Sequence, residues 1–388
     1  MNRSDAERVL CLFVLLILIL GLSASRDVGA AAPIQGNIVL PASTGKWDSN
    51  VLWRPCVVKT DSSFLMWYNG EDGTGVDRIG LATSSDGVSW TRYAQNPVLT
   101  EGTSGEWDHG SVNEMWVIYD GGLFKMWYSG ETLTSTNLSI AQIATYQIGY
   151  ATSADGIHWT KYSGNPVLTT GPKGSWDDKW VWRPIVLSTS SSWLMYYSGE
   201  SRSGATGVGT ARSTDGIHWT KTSATITVSK STWDSSQLRP SGSGASDVVK
   251  VNGGYLMAYS GWAGGDSPWQ IGFATSTDGM SWTPNADNPV IGPGTTASDN
   301  GGVMYPMIIP VGNNYYVYYA TYAMGQLNRA IGLAILPQSR YPVSPSPALI
   351  PDSKQQGLTV GSARFASPQL DRKVLTVSIC LKMFQCPV

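Results

Sequence analysis

A seven-residue motif, S-x-D-G-x-x-W, occurs four times in this chain. The copies are Ser84–Trp90, Ser153–Trp159, Ser213–Trp219 and Ser276–Trp282, spaced 69, 60 and 63 residues apart. A second marker keeps the same beat, at Trp47-Asp48, Trp107-Asp108, Trp176-Asp177 and Trp233-Asp234. Self-similarity at a fixed period means that one supersecondary unit has been copied and stacked into a single body. This overrides the prior that 388 residues divide into two or three domains.

Laid in register, each repeat holds four strand-like runs. The first follows Trp-Asp, as in Arg54–Val58 or Arg183–Leu187. The second is aromatic: Phe64–Tyr68, Phe124–Tyr128, Trp193–Tyr197 and Tyr255–Tyr259. The third is Ile79–Thr83, Ile148–Thr152, Val208–Ala211 and Ile271–Thr275. The fourth is Asn96–Leu99, Asn165–Leu168, Ile226–Val228 and Asn288–Ile291. Short runs rich in Val, Ile, Tyr and Trp, bounded by Gly, Asn and Asp, read as strands, and four per unit make a propeller blade.

A fifth unit begins near Ser298-Asp299 but stops without its motif or fourth strand. The missing strand stands at the other end, as Asn37–Leu40. The expected fold is therefore all-β, a five-bladed β-propeller of four-stranded blades closed by an N-terminal strand. Closure of this kind removes two open sheet edges. The expected divisions are 1–32 as a signal segment, 36–337 as the propeller, and 338–388 as a Pro/Ser-rich linker and tail of unassigned role.

Charged residues are 14% of the chain and net charge is −2, which argues against nucleic acid or an anionic membrane surface as partner. Arg3 and Arg8 precede an apolar run, Val9–Leu22, and then small residues. That run is short of the roughly 20 residues that span a bilayer, so it reads as a cleaved signal peptide. The expected protein is secreted and monomeric, and meets a membrane only if this segment stays uncleaved as an anchor. Cys56 reads as a small core residue, and Cys380 and Cys386 as a candidate pair in an oxidising compartment.

The S-x-D-G-x-x-W turns repeat with the same Asp and Trp, so they read as Asp-capped structural turns, His158 and His218 with them. Function is expected where the blades differ. Counted back a constant distance from the end of each second strand, the first strands carry Arg54, Glu114, Arg183, Ala245 and Tyr305. A buried carboxylate is costly unless it is hydrogen-bonded or useful. The two arginines and Tyr305 either pair with Glu114 structurally or clamp an anionic or hydroxyl-rich ligand beside it.

Asp247 breaks an otherwise apolar column of Cys56, Trp116, Ile185 and Met307. It reads as an acid or base of raised pKa, or as a solvated strand end. Glu131 belongs to a repeated Gly-Glu step with Glu71 and Glu200, on the same expected face as Glu114. Trp262 and Trp269 break the repeat and offer sugar-stacking rings. His109 shares that face as ligand, base or bystander.

Five such blades, with repeats like Ile148–Trp159, resemble the five-bladed glycosidase propellers, the arabinanase/levansucrase/invertase superfamily of glycoside hydrolase families 43, 32 and 68. The resemblance covers residues 37–336 and implies a carbohydrate-active scaffold. The family's catalytic pattern does not transfer. Arg54-Pro55 and Arg183-Pro184 stand where family 43 enzymes have Asp-Pro, and the invertase signatures are absent. Sialidases share aspartate-box turns but have six blades and a longer box; their site of arginines, a Tyr and a Glu is similar to Arg54, Arg183, Tyr305 and Glu114, and that likeness leaves an acidic-sugar substrate open.

Three functions remain open. The first is a secreted glycoside hydrolase using Glu114 and Asp247, which requires carboxyls about 5–5.5 Å apart for retention or 6.5–9.5 Å for inversion. The second is a non-catalytic glycan-binding propeller, and the third a protein-interaction propeller. The metal is unknown: such scaffolds allow a structural calcium ion in the channel, but no ligand set is legible.

Overall fold

The computed structural model describes residues 32–132, 144–189, 192–225, 227–228, 232–234, 245–295, 299–323 and 329–342. Residues before 32, where the signal segment is expected, and those beyond Pro342, Cys380 and Cys386 included, lie outside them. Five sheets of antiparallel blade strands form a ring. The innermost strands are Val51–Lys59, Ser111–Asp120, Trp180–Ser188, Ala245–Val251 and Gly302–Val311. Each packs against the next, and the fifth packs back on the first. The N-terminal strand Asn37–Leu40 pairs antiparallel with Arg329–Pro337 as the outer strand of blade 5, closing the ring.

The second strands lie inside each blade's sheet and are buried on both faces, so they read as continuous apolar runs rather than as alternations. Every residue of Phe64–Glu71 is buried. Neighbouring blades are pinned through these strands. Trp67 Nε1 donates to Gly156 O at 2.9 Å, Trp127 Nε1 to Gly216 O at 2.8 Å, Tyr196 OH to Gly279 O at 2.9 Å, and Tyr318 OH to Gly87 O at 2.7 Å. All four acceptors are the glycines of the repeated turn. Within each turn the Asp accepts two backbone N–H groups, as Asp155 does from Ile157 and His158, both at 2.8 Å. The turn is thus an interblade socket.

Gly156 has φ +77°, and a Cβ there would lie 2.8 Å from the Trp67 ring. Gly156→Ala is therefore expected to cost about 1–3 kcal/mol from backbone strain alone. A melting curve checks this, and an unchanged midpoint would contradict the socket.

The Trp-Asp pairs also serve the scaffold. Trp47 stacks on Tyr68, with ring centroids 5.8 Å apart, and Asp48 accepts from Tyr68 OH at 3.2 Å and Arg92 Nε at 2.9 Å. Asp108 and Asp177 repeat this with Tyr128 and Lys161, and with Tyr197 and Lys221.

Two elements differ from the sequence expectation. The outer strands are Thr91–Arg92, Thr160–Lys161, Thr220–Thr225 and Ser281–Pro284, at or directly after the turn Trp rather than at the Asn-Pro runs, while Thr227–Val228 is a strand that pairs parallel with Ser281–Trp282 of blade 4. The Asn-Pro runs return to the third strand through single bridges such as Ile79↔Leu99. Asn96 makes this work: its Oδ1 accepts from Leu81 N and its Nδ2 donates to Leu81 O, so a side-chain amide stands in for a strand partner. The packed body also continues past Pro337, for Tyr341 is buried against the Phe273 ring, 4.8 Å between centroids.

Candidate functional site

Each innermost strand carries a β-bulge near its start. The register slips between Trp53 and Cys56, Asn113 and Trp116, Trp182 and Ile185, Ala245 and Asp247, and Met304 and Met307. Four bulges place a non-glycine residue in the left-handed region: Arg54 (φ 46°), Glu114 (49°), Arg183 (59°) and Tyr305 (54°). Among the described residues no other non-glycine adopts positive φ. Such strain costs about 1–3 kcal/mol per residue and collects at functional sites.

The preceding blade holds the bulges. Asn69 Oδ1 accepts from Glu114 N at 2.9 Å, Ser129 Oγ from Arg183 N at 3.1 Å, and Ser260 Oγ from Tyr305 N at 3.0 Å. This supporting column escaped the sequence reading. Its signal was the small polar residue before the glycine of each second strand: Asn69, Ser129, Ser198 and Ser260.

The bulges bring their side chains together in the ring's centre. Arg183 Nε donates to Glu114 Oε1 at 2.7 Å and its Nη2 to the Tyr305 hydroxyl at 3.4 Å. The Arg183 guanidinium also lies 5.2 Å from the Tyr305 ring centroid. Burial works against its charge, but Glu114 and the Tyr305 oxygen outweigh that and hold its pKa above the ordinary value. Arg54 differs. Burial pulls its pKa down, Glu114 raises it and Arg183 lowers it further. Polar capacity is left over here, with no hydrogen-bond partner for Arg54 Nη2, Glu114 Oε2, Asn69 Nδ2 or Asn113 Oδ1.

A second carboxyl joins this group, one the sequence did not disclose. Asp77, in the connection to the third strand of blade 1, receives Trp53 Nε1 at 3.3 Å and Asn113 Nδ2 at 3.1 Å. Burial raises its pKa to about 6; these two hydrogen bonds oppose the rise, and the charges of Glu114 and Glu71 add to it. Glu131 is half-buried, with Ser111 and Tyr146 as hydrogen-bond partners and His109 nearby. Burial raises the Glu131 pKa against all three. The Tyr146 hydroxyl feels Glu131, Asp77 and Glu114 together, and burial followed by those charges pushes its pKa up. His109 Nδ1 lies 2.6 Å from Glu106 O. The other Gly-Glu carboxylates organise loops: Glu71 accepts from Asn50 and from Gly73 and Gly75 N–H, and Glu200 from Lys179.

Asp247 feels the Arg54 charge but makes no hydrogen bond to these groups. It is fully buried in the channel wall, where Oδ2 accepts from Ile308 N of blade 5 at 2.5 Å. Its column forms an interblade ring, for Cys56 Sγ accepts from Val117 N at 3.1 Å and Met307 Sδ from Val57 N at 3.3 Å. Burial raises the Asp247 pKa to about 7, opposed by backbone hydrogen bonds from Ile308 and Val248 and by Arg54. It is not a solvated strand end, and its pKa is raised in the direction expected of a buried acid.

Aromatic rings form two groups. Trp53 meets Tyr305 edge-on at 5.2 Å, and Trp269 and Tyr322 pack on the same small cluster. Trp262 and Trp269 stack on one another, 5.8 Å apart and 18° from parallel, while Trp262 Nε1 donates to Ser267 O at 2.8 Å. Tyr146, Trp180 and Trp182 form a second group. Among the described residues no group of three or more His, Cys, Asp or Glu side chains is arranged to hold a metal ion.

No protein-family model matches this sequence. Two uncharacterized proteins of Mycobacterium tuberculosis, Rv1502 and MT1551, are each 28% identical to it over 210 residues. Those residues are 52% of this chain and 65% of each relative, so the chain spans less than two thirds of their length. Similar solved structures include a glycoside hydrolase, with TM-score 0.60 and 18% identity over 87% of this chain and 96% of that one. A structure described with the GH130 family of mannoside phosphorylases, and with glycoside hydrolases that target β-1,2 mannosidic linkages in Candida mannan, aligns at TM-score 0.53. Its identity is 20%, over 83% of this chain and 94% of its own. An N-acetylgalactosamine deacetylase from F. plautii, in complex with blood group B trisaccharide, aligns at TM-score 0.57 and 14% identity over 78% and 94%. At such identities the likeness is one of fold. The chain has the five-bladed propeller fold of glycoside hydrolase-like proteins.

Proposed function

We propose that this protein is a secreted glycoside hydrolase whose site is the buried cluster around Glu114. One observation carries the reading: four charged or phenolic side chains converge from four blades, each on strained backbone, with hydrogen-bonding atoms left over. A scaffold that needed only to fold would put glycine at these bulges and apolar residues between them. Sugar hydroxyls both donate and accept, and so suit the leftover atoms. The flanking Trp and Tyr rings suit the apolar face of a sugar ring.

Two carboxyls with separate roles are what glycoside hydrolysis needs. Asp77, with its pKa at about 6, has the character of a general acid. Glu114, ion-paired to Arg183, is the partner carboxylate. Asp77 takes the role first expected of Asp247, because Asp77 interacts with Glu114 and Asp247 is sealed in the wall. If protonated Asp77 is required, kcat/KM falls as pH rises through about 6. A rate flat from pH 5 to 8 would contradict the assignment.

The test is reducing-sugar release by the full chain from arabinans, xylans, fructans, mannans and acidic glycans, beside Asp77→Asn and Glu114→Gln. Each variant is expected to lose about 100-fold or more. Turnover unchanged in both would overturn the pair. A second reading, a glycan-binding propeller without turnover, is favoured by Arg54-Pro55 and Arg183-Pro184 where related enzymes have Asp-Pro. It predicts glycan binding by all three proteins and release by none. Secretion rests on the N-terminal apolar run. N-terminal sequencing of the exported protein tests it, with cleavage expected among the small residues at 23–32 and an intact Met1 contradicting it.

A further inference from the structure

Arg54 and Arg183 are buried alike, at 4% and 7% exposure, but they are not satisfied alike. Arg183 is bound to Glu114 and Tyr305. Among the described residues Arg54 makes no ion pair within 4 Å, and its Nη2 has no hydrogen-bond partner. Two guanidinium groups therefore stand beside one hydrogen-bonded carboxylate, and it is Arg54 that is left without an ion pair. Asp247, which also feels the Arg54 charge, forms no ion pair with it and is held instead by Ile308 N. A buried guanidinium without a partner is costly, and replacing such a charge with an apolar side chain commonly stabilises a protein. A residue kept on these terms has a use outside the fold.

The planar fork of a guanidinium matches an oxyanion, which it holds by paired N–H donors. We propose that the substrate is an acidic sugar whose carboxylate docks on Arg54. This rests on the carbohydrate reading and narrows its substrate class. Trp53 and Tyr305, adjoining Arg54 in space or sequence, offer rings to the sugar, and Glu114 Oε2 and Asn69 Nδ2 take its hydroxyls.

The experiment is calorimetric binding of the full chain to methyl galacturonoside, methyl glucuronoside, their neutral counterparts methyl galactoside and methyl glucoside, and inorganic phosphate. At least one acidic glycoside is expected to bind tenfold or more tightly than its neutral counterpart. Arg54→Met is expected to abolish that preference and still to melt about 2–4 °C higher than the parent. Arg54→Lys, which keeps the charge and loses the fork, is expected to hold an intermediate preference, and serves as the variant if Arg54→Met fails to fold. Equal binding of acidic and neutral glycosides would overturn the proposal while leaving the carbohydrate reading intact. A preference that survives Arg54→Met would also overturn it. Phosphate binding without any acidic preference would assign Arg54 to a free anion and overturn the sugar-borne carboxylate. Failure to bind any glycoside, with no release from any polysaccharide, would remove the carbohydrate reading itself.

Discussion

Glu114→Ala is expected to destabilise the protein by about 3–5 kcal/mol, the usual cost of removing one partner of a buried ion pair. The reason is local. Arg183 loses its 2.7 Å acceptor while remaining buried, in a cluster that already contains the unpaired Arg54. Glu114→Gln keeps an oxygen for Arg183 Nε and the shape of the side chain, so its stability loss is smaller even where its activity loss is large. Glu114→Ala combined with Arg183→Met is expected to recover part of the stability, because the pair is then removed together. Urea unfolding of the three variants separates these cases. A loss below about 1 kcal/mol for Glu114→Ala would mean a solvated pair of the surface kind.

Asp247 yields the second large effect, and its sign is opposite to that of most carboxylates. In the folded protein its pKa is raised to about 7, against about 3.9 in an unfolded chain. The folded state therefore keeps a proton that the unfolded state gives up as pH rises from 4 to 7. Stability from this group is full below about pH 4, is lost through that window, and stays lost above about pH 7. The whole effect is on the order of 4 kcal/mol. Asp247→Asn still offers Ile308 N an acceptor and carries no charge. It is expected to match the parent at pH 4 and to exceed it by about that amount at pH 8. Asp77 titrates with the same sign in both proteins, so the difference between the two stability curves isolates Asp247. Parallel curves would contradict a buried titrating carboxyl.

The repeat made much of this legible beforehand. One strand pattern copied at a fixed period yielded the blade count and the closing strand Asn37–Leu40. The same register aligned Arg54, Glu114, Arg183 and Tyr305, the four residues that proved to share a left-handed bulge. What the register could not show was how a side chain is used once the blades meet. Asp247 stood out in its column as an acid, but Cys56 and Met307 in that column turned out to cap backbone N–H groups of the next blade, and Asp247 does the same.

Asp77 lay hidden because its partners come from elsewhere. Trp53 belongs to an adjacent strand and Asn113 to another blade, and the loop that carries Asp77 has no counterpart of constant length. The outer strands were misplaced because Asn96-Pro97 and its copies look like strands in sequence. The Asn side chain does the pairing instead. Trp262 and Trp269 stood out as unrepeated rings, yet their stacking on each other needed three dimensions.

On the proposed reading, ligands are met at the bulge face, and the repeated turns of the other face only hold blades together. Hydrogen–deuterium exchange of the full chain tests it most directly, with and without a pooled set of acidic and neutral oligosaccharides at millimolar concentration. Slower exchange is expected in 51–56, 71–78, 111–116 and 180–185, with no change in the turns at 84–90, 153–159, 213–219 and 276–282. Protection confined to those turns, or no protection anywhere, would contradict the account.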